Sequence, residues 1–176
     1  MMNEILKMME RNSSETKETY AKCDNGEDYP NFDVNEQLTE HFTLREMMFS
    51  QTCLRIGMIN RLDEPKVIIP RLRALCENVL EPLRKRFGPV IVSSGYRSEC
   101  LNYVVGGVTN SQHCKGEAAD LFTPDKEILY DYFDFIRYTL DFDQLIIERS
   151  KKTGQYWLHV SFTTRRKNRK MVIGEE

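Results

Sequence analysis

His113 and Asp120 stand seven residues apart in "SQHCKGEAAD", with Gly116 between them. A neutral imidazole and a carboxylate are both ligands for Zn²⁺, which takes about four donor atoms, its nitrogen and oxygen ligands near 2.0–2.2 Å. Gly116 allows a sharp turn between the pair, and Ala118 and Ala119 leave room for close backbone approach. One histidine and one aspartate are weak evidence by themselves, so their spatial company decides. "WLHVSF" supplies a candidate: as a strand it turns Leu158 and Val160 one way and Trp157, His159 and Ser161 the other. "QLIIE" alternates in the same manner, with Leu145 and Ile147 on one face and Gln144, Ile146 and Glu148 on the other. A symmetric hairpin between the two places Glu148 opposite Trp157 and on the face of His159.

The elements that must hold these residues are readable in outline. Thr43 and Glu46 have capping-box spacing and Phe42 stands where it could staple onto Met47, so a helix is expected to begin at "HFTLREMM" and stop at Gly57. Apolar residues at three- and four-residue steps predict a second helix over residues 66–87, bent at Pro82 and stopped by Gly88. "PVIVSS" reads as a buried strand, followed by a turn at Gly95 and a short helix capped by Ser98. "EAADLF" is a second strand and leads into a helix with Thr123 as cap and Pro124 at its first position. The last two strands form the hairpin. The expected fold is α+β, a central mainly antiparallel sheet with flanking helices.

"SQHCKGEAAD" fits the Ser-x-His-x-x-Gly-x-Ala-x-Asp signature of the M15 zinc peptidases, the D-alanyl-D-alanine carboxypeptidase group, and "YWLHVSF" resembles their second histidine motif. "HFTLREMMFSQTCLRIG", "SSGYRS", "LNYVVGGVTNSQH" and "FDQLIIE" extend the resemblance to the small single-domain branch of bacteria and phages, over about residues 40–172. The resemblance implies a zinc ion held by His113, Asp120 and His159 with water in the fourth place. It implies that Arg97 steadies an oxyanion and grips a substrate carboxylate, and that Ser111 contacts substrate. Many relatives carry an acidic general base three residues before the second histidine; here that residue is Tyr156. A phenol with a pKa near 10 is a poor base at neutral pH, and Glu148 is the substitute. The implied activity is hydrolysis of peptidoglycan stem peptides, as a D,D-carboxypeptidase or an L-Ala–D-Glu-type endopeptidase. The same scaffold resembles the Hedgehog signalling domain, so the alternative is a zinc-containing module that binds cell-wall or other peptides with weak or no catalysis.

Length and composition set the remaining expectations. A chain of 176 residues with 40% hydrophobic content suits one globular domain. The expected division is a polar tail or linker at 1–38, with a short helix over "NEILKMMER", the zinc domain at 39–172 and a C-terminal tail at 173–176. A net charge of −2 argues against nucleic acid as partner, and no stretch is apolar enough for membrane insertion. A monomer acting on cell-wall peptide is expected. Five cysteines without ligand spacing and no visible signal peptide fit free thiols and a cytoplasmic product that reaches the wall only by release. Other residues read as background: His41 as solvated, Cys114 as a packed thiol, Glu117 as a free position of the signature, and "RRKNRK" as a solvated basic end.

Overall fold

The computed structural model describes residues 32–174, and the short helix expected over "NEILKMMER" lies outside them. Two helices open the fold where one was expected, α1 (Leu44–Met48) and α2 (Gln51–Ile56). Thr43 caps α1 through its hydroxyl, which accepts from the Glu46 N–H at 3.2 Å. The chain then leaves the helix at Phe49, and the Ser50 hydroxyl starts α2 by accepting from the Cys53 N–H at 3.2 Å. A serine inside a helical pattern competes as a cap, and here it wins. Gly57, at φ 69°, closes α2 in the left-handed conformation expected of a helix stop.

The long second helix is interrupted. α3 (Pro65–Leu75) passes through a π-helical turn (Cys76–Leu80) into α4 (Glu81–Phe87). Pro82 has no N–H to donate and its ring crowds the carbonyl four residues back. The widened turn lies just ahead of it, with the Glu81 N–H reaching back to the Cys76 carbonyl. Ile68, Leu72, Leu75, Val79 and Leu83 are buried along this element, each side chain contributing about 1.5–3 kcal/mol of apolar burial.

The sheet has five strands, β1 (Ile91–Ser94), β2 (Ala118–Phe122), β3 (Gln144–Arg149), β4 (Tyr156–Ser161) and β5 (Met171–Ile173). Their order is β1-β2-β4-β3-β5, antiparallel throughout except for the β3/β5 pair. β5 was not expected from its three-residue, half-exposed pattern. Between the strands lie α5 (Glu99–Val104), capped by Ser98, and α6 (Lys126–Thr139). α6 starts later than expected: the Asp125 carboxylate accepts from the Glu127 N–H at 2.8 Å, while Thr123 turns the preceding chain by accepting from the Asp125 N–H at 3.3 Å. The carboxylate is the acceptor that competes better for a helix N-terminus.

One face of the sheet carries the core. Leu121, Leu145, Leu158 and Val160 meet Leu72, Leu75, Leu80, Leu129 and Ile136 there, and Leu38 and Phe42 belong to the same cluster. Three expectations of isolated surface character change. His41 is not merely solvated, since its N–H and its Nδ1 each lie 2.9 Å from the Glu81 carboxylate, a partner forty residues away. Cys53, Cys76 and Cys114 are free thiols, but Cys100 is disulfide-bonded. The basic end is structured, as described below. Among the described residues no helix is long and apolar enough to cross a membrane.

Candidate metal centre

The face of the sheet opposite the core carries a row of side chains in direct register: Ser94 on β1, Asp120 on β2, His159 on β4 and Ile146 on β3. Glu148 and Trp157 form the next pair on this face, the register of a symmetric hairpin. A register shift between Val92 and Ser94 lets β1 present Ser94 opposite Asp120; bulges of this kind re-aim side chains beside functional sites. His113 comes from outside the sheet, on a single 3₁₀ turn (His113–Lys115) closed by Gly116 at φ 68°.

His113, Asp120 and His159 converge, all three buried, with one ligand atom from each within 4.8 Å of the others. His113 Nε2 lies 3.2 Å from His159 Nδ1 and 3.3 Å from Asp120 Oδ1, and His159 Nδ1 lies 2.9 Å from the same oxygen. Bonds of about 2.0–2.2 Å to a tetrahedral ion place its ligand atoms roughly 3.3–3.6 Å apart, so the triangle is within a few tenths of an ångström of what such an ion needs. The donor chemistry fits too. His113 Nδ1 lies 2.7 Å from the Gly95 carbonyl, which fixes the proton on that nitrogen and leaves Nε2 as the lone pair facing the cluster. Burial pushes the Asp120 carboxyl up, but the charges and hydrogen bonds of His113 and His159 outweigh it and hold it far below the usual carboxylate range. The group is therefore an anion ready to ligate. The residues present can hold a metal ion.

A cleft of about 720 Å³ opens over this cluster, lined also by Arg97, Ser111, Gln112, Glu148 and Trp157. Arg97 is committed to the centre itself: its Nη2 donates to Asp120 Oδ2 at 2.5 Å and its Nε to the Ser94 hydroxyl at 2.8 Å. It grips the outer oxygen of the carboxylate whose inner oxygen faces the histidines. Ser111 is buried at the cleft wall, and its hydroxyl accepts from the His113 N–H at 3.3 Å. Glu148 is half-buried; burial raises its carboxyl and the Asp120 charge raises it further, against the pull of His159, His113 and Arg97. Tyr156 is elsewhere. It packs against the core and lies under the ammonium of Lys126, 4.4 Å from the ring centre.

Two buried carboxylates behind the site went unrecognised in the sequence. Glu117, read as a free position, has no solvent exposure and accepts from the Thr163 hydroxyl at 2.8 Å and from Arg165 at 2.6 and 2.8 Å. Asp143 is equally buried and accepts from Arg166, Arg169 and the side chain of Gln112. In both, burial raises the carboxyl but the arginine hydrogen bonds prevail and hold it low. The basic end is thus solvent-exposed as expected, but ordered, with three of its arginines paired to two interior anions. Only a pairing over 23 to 48 residues could have disclosed it.

A family model described as Peptidase M15 matches residues 40–154. The match takes in Arg97, His113, Asp120 and Glu148 and ends before β4, so His159 joins the cluster from outside the matched segment. A search of curated proteins finds no match. The matched segment spans well over half of the chain, and the cluster on its sheet is of a kind that could serve a metallopeptidase: the chain belongs to the peptidase M15 family.

Proposed function

We propose that this protein is a zinc-dependent peptidase that hydrolyses amide bonds in peptidoglycan stem peptides. The observation that carries the reading is the convergence of His113, Asp120 and His159, three ligands on a cleft floor with room for a fourth. Three protein ligands and an open position are the pattern of catalytic zinc, whereas structural zinc is closed by four. When bound, zinc supplies the Lewis acidity that acidifies water and polarises a carbonyl.

The chain's own residues supply the rest. Glu148, on the face of His159 and in the same cleft, accepts the proton of the attacking water and returns it to the leaving amine. Arg97 holds Asp120 in its ligating orientation, and its guanidinium lines the cleft in which negative charge would develop. Ser111 fixes the entry to His113 and borders the bound peptide. Neutral polar side chains such as Gln51, Asn110 and Gln144 offer partners for peptide amides along the walls.

The test is zinc content of the purified protein, followed by mass spectrometry of purified peptidoglycan after incubation. About one zinc per chain with new peptide termini supports the proposal, and the masses distinguish removal of a terminal D-alanine from internal cleavage. Full zinc occupancy with no product at any pH would make the protein a binding module instead.

A further inference from the structure

Gln112 immediately precedes His113, and its side-chain Nε2 donates to Asp143 Oδ2 at 3.0 Å. Asp143 sits at the mouth of β3, where its N–H donates to the Ser161 carbonyl at 2.7 Å, at the end of the strand that carries His159. Its two oxygens also receive Arg166 at 2.5 and 2.9 Å and Arg169 at 2.7 Å, together with the Arg169 N–H at 3.1 Å. One buried residue therefore ties three segments together: its carboxylate holds the loop bearing one histidine and the arginine segment that follows, and its N–H holds the end of the strand bearing the other. Because that carboxylate can only accept, it fixes which end of the Gln112 amide faces it, and the amide oxygen is left buried without a partner among the described residues.

We infer that Gln112 and Asp143 are positioning residues, which hold His113 in register with His159, with Arg166 and Arg169 as the clamp. The two arginines lie beyond residue 154, where the family match ends. The inference rests on the zinc reading above. It adds that affinity for the ion depends on a link no ligand makes directly. Groups that orient metal ligands from behind commonly change metal affinity by about 10–100-fold.

The experiment is competitive titration of the full chain with Zn²⁺ against a chromophoric chelator, for wild type, Gln112→Ala and Asp143→Asn, with melting of each metal-free protein. Gln112→Ala leaves Asp143 its arginines, so the metal-free protein is expected to melt within about 2 °C of wild type while its Zn²⁺ affinity falls about tenfold or more. Asp143→Asn is expected to lose affinity and to melt lower. If it fails to fold, Gln112→Ala decides alone. Equal Zn²⁺ affinity in Gln112→Ala and wild type overturns the positioning role and leaves the zinc reading intact. A loss of affinity matched by a large loss of metal-free stability also overturns it, since the link is then only structural. No Zn²⁺ binding by wild type overturns both.

Discussion

Tyr156 and His159 lie three residues apart on one strand and face opposite sides of the sheet. An odd spacing in a regular strand always does this. Tyr156 packs under Lys126 on the core side, while His159 meets Asp120 on the cleft side. The tyrosine therefore does not face the cleft, whereas Glu148, the proposed base, lines it one row from His159. Tyr156→Phe is expected to retain near-normal turnover. Glu148→Gln is expected to lower kcat by about 10²–10⁴ with zinc content unchanged. Steady-state kinetics on a released stem peptide measure both, and equal rates for Glu148→Gln and wild type would remove Glu148 from the mechanism.

The environment of Glu148 sets a pH profile. Burial and the Asp120 charge raise its carboxyl in the metal-free protein, so there Glu148 should titrate above the ordinary glutamate value of about 4.3. A bound cation, whose charge opposes that rise, should place the acidic limb of activity below the metal-free value. Activity rises with pH through that limb, because the base must be ionised. The limb should vanish from the residual activity of Glu148→Gln.

Stability should respond to acid through Asp143 and Glu117. Both carboxyls are held low in the folded protein, so the unfolded chain takes up their protons first as pH falls. Their contribution is complete above the unfolded values of about 3.9 and 4.3 and is lost progressively below them. Urea unfolding between pH 7 and pH 3 should show falling stability over the lower part of this range. Asp143→Asn should flatten the slope.

Removing the metal should be visible without any substrate. Zinc at one hundred times its Kd adds about 2.7 kcal/mol to the folded state, which is roughly 5–10 °C for a domain of this size. A chelator should lower the melting temperature of wild type by that amount and leave His113→Ala unchanged.

Gly95 is a steric requirement of the centre. A Cβ there would stand 2.3 Å from the Met47 carbonyl oxygen, which already accepts from the Tyr96 N–H at 2.7 Å. That oxygen belongs to the backbone and has little room to move, and the Gly95 carbonyl orients His113. Gly95→Ala is expected to lower both stability, by about 1–3 kcal/mol, and zinc affinity. Chemical denaturation and chelator competition would show the two losses together.

What could be read in the sequence follows from range. The strand alternation that placed Glu148 opposite Trp157, the Ser98 cap and the turn at Gly116 are local, and the structure has them. Ser50 was missed because capping competes with a continuing apolar pattern. Thr123 followed by Pro124 has the form of a cap and first helical position, but Asp125 two residues on caps the helix instead. β5 has three residues and only one of them half-buried, so no periodicity announces it. Arg165, Arg166 and Arg169 face solvent, and their pairing was illegible because the anions, Glu117 and Asp143, sit on other elements. Family resemblance, and not spacing, was needed to join His113 and Asp120 to His159.

The direct register of Asp120 and His159 has a consequence for the order of folding. The β3–β4 hairpin closes locally and brings His159 only to Ile146. Asp120 meets His159 only through the β2/β4 pairing, across a loop that contains α6 and β3. Such long-range pairing is slow, because the loop entropy must be overcome before the contacts form. The three side chains that could hold an ion are therefore together only where the central strand pair β2/β4 is closed.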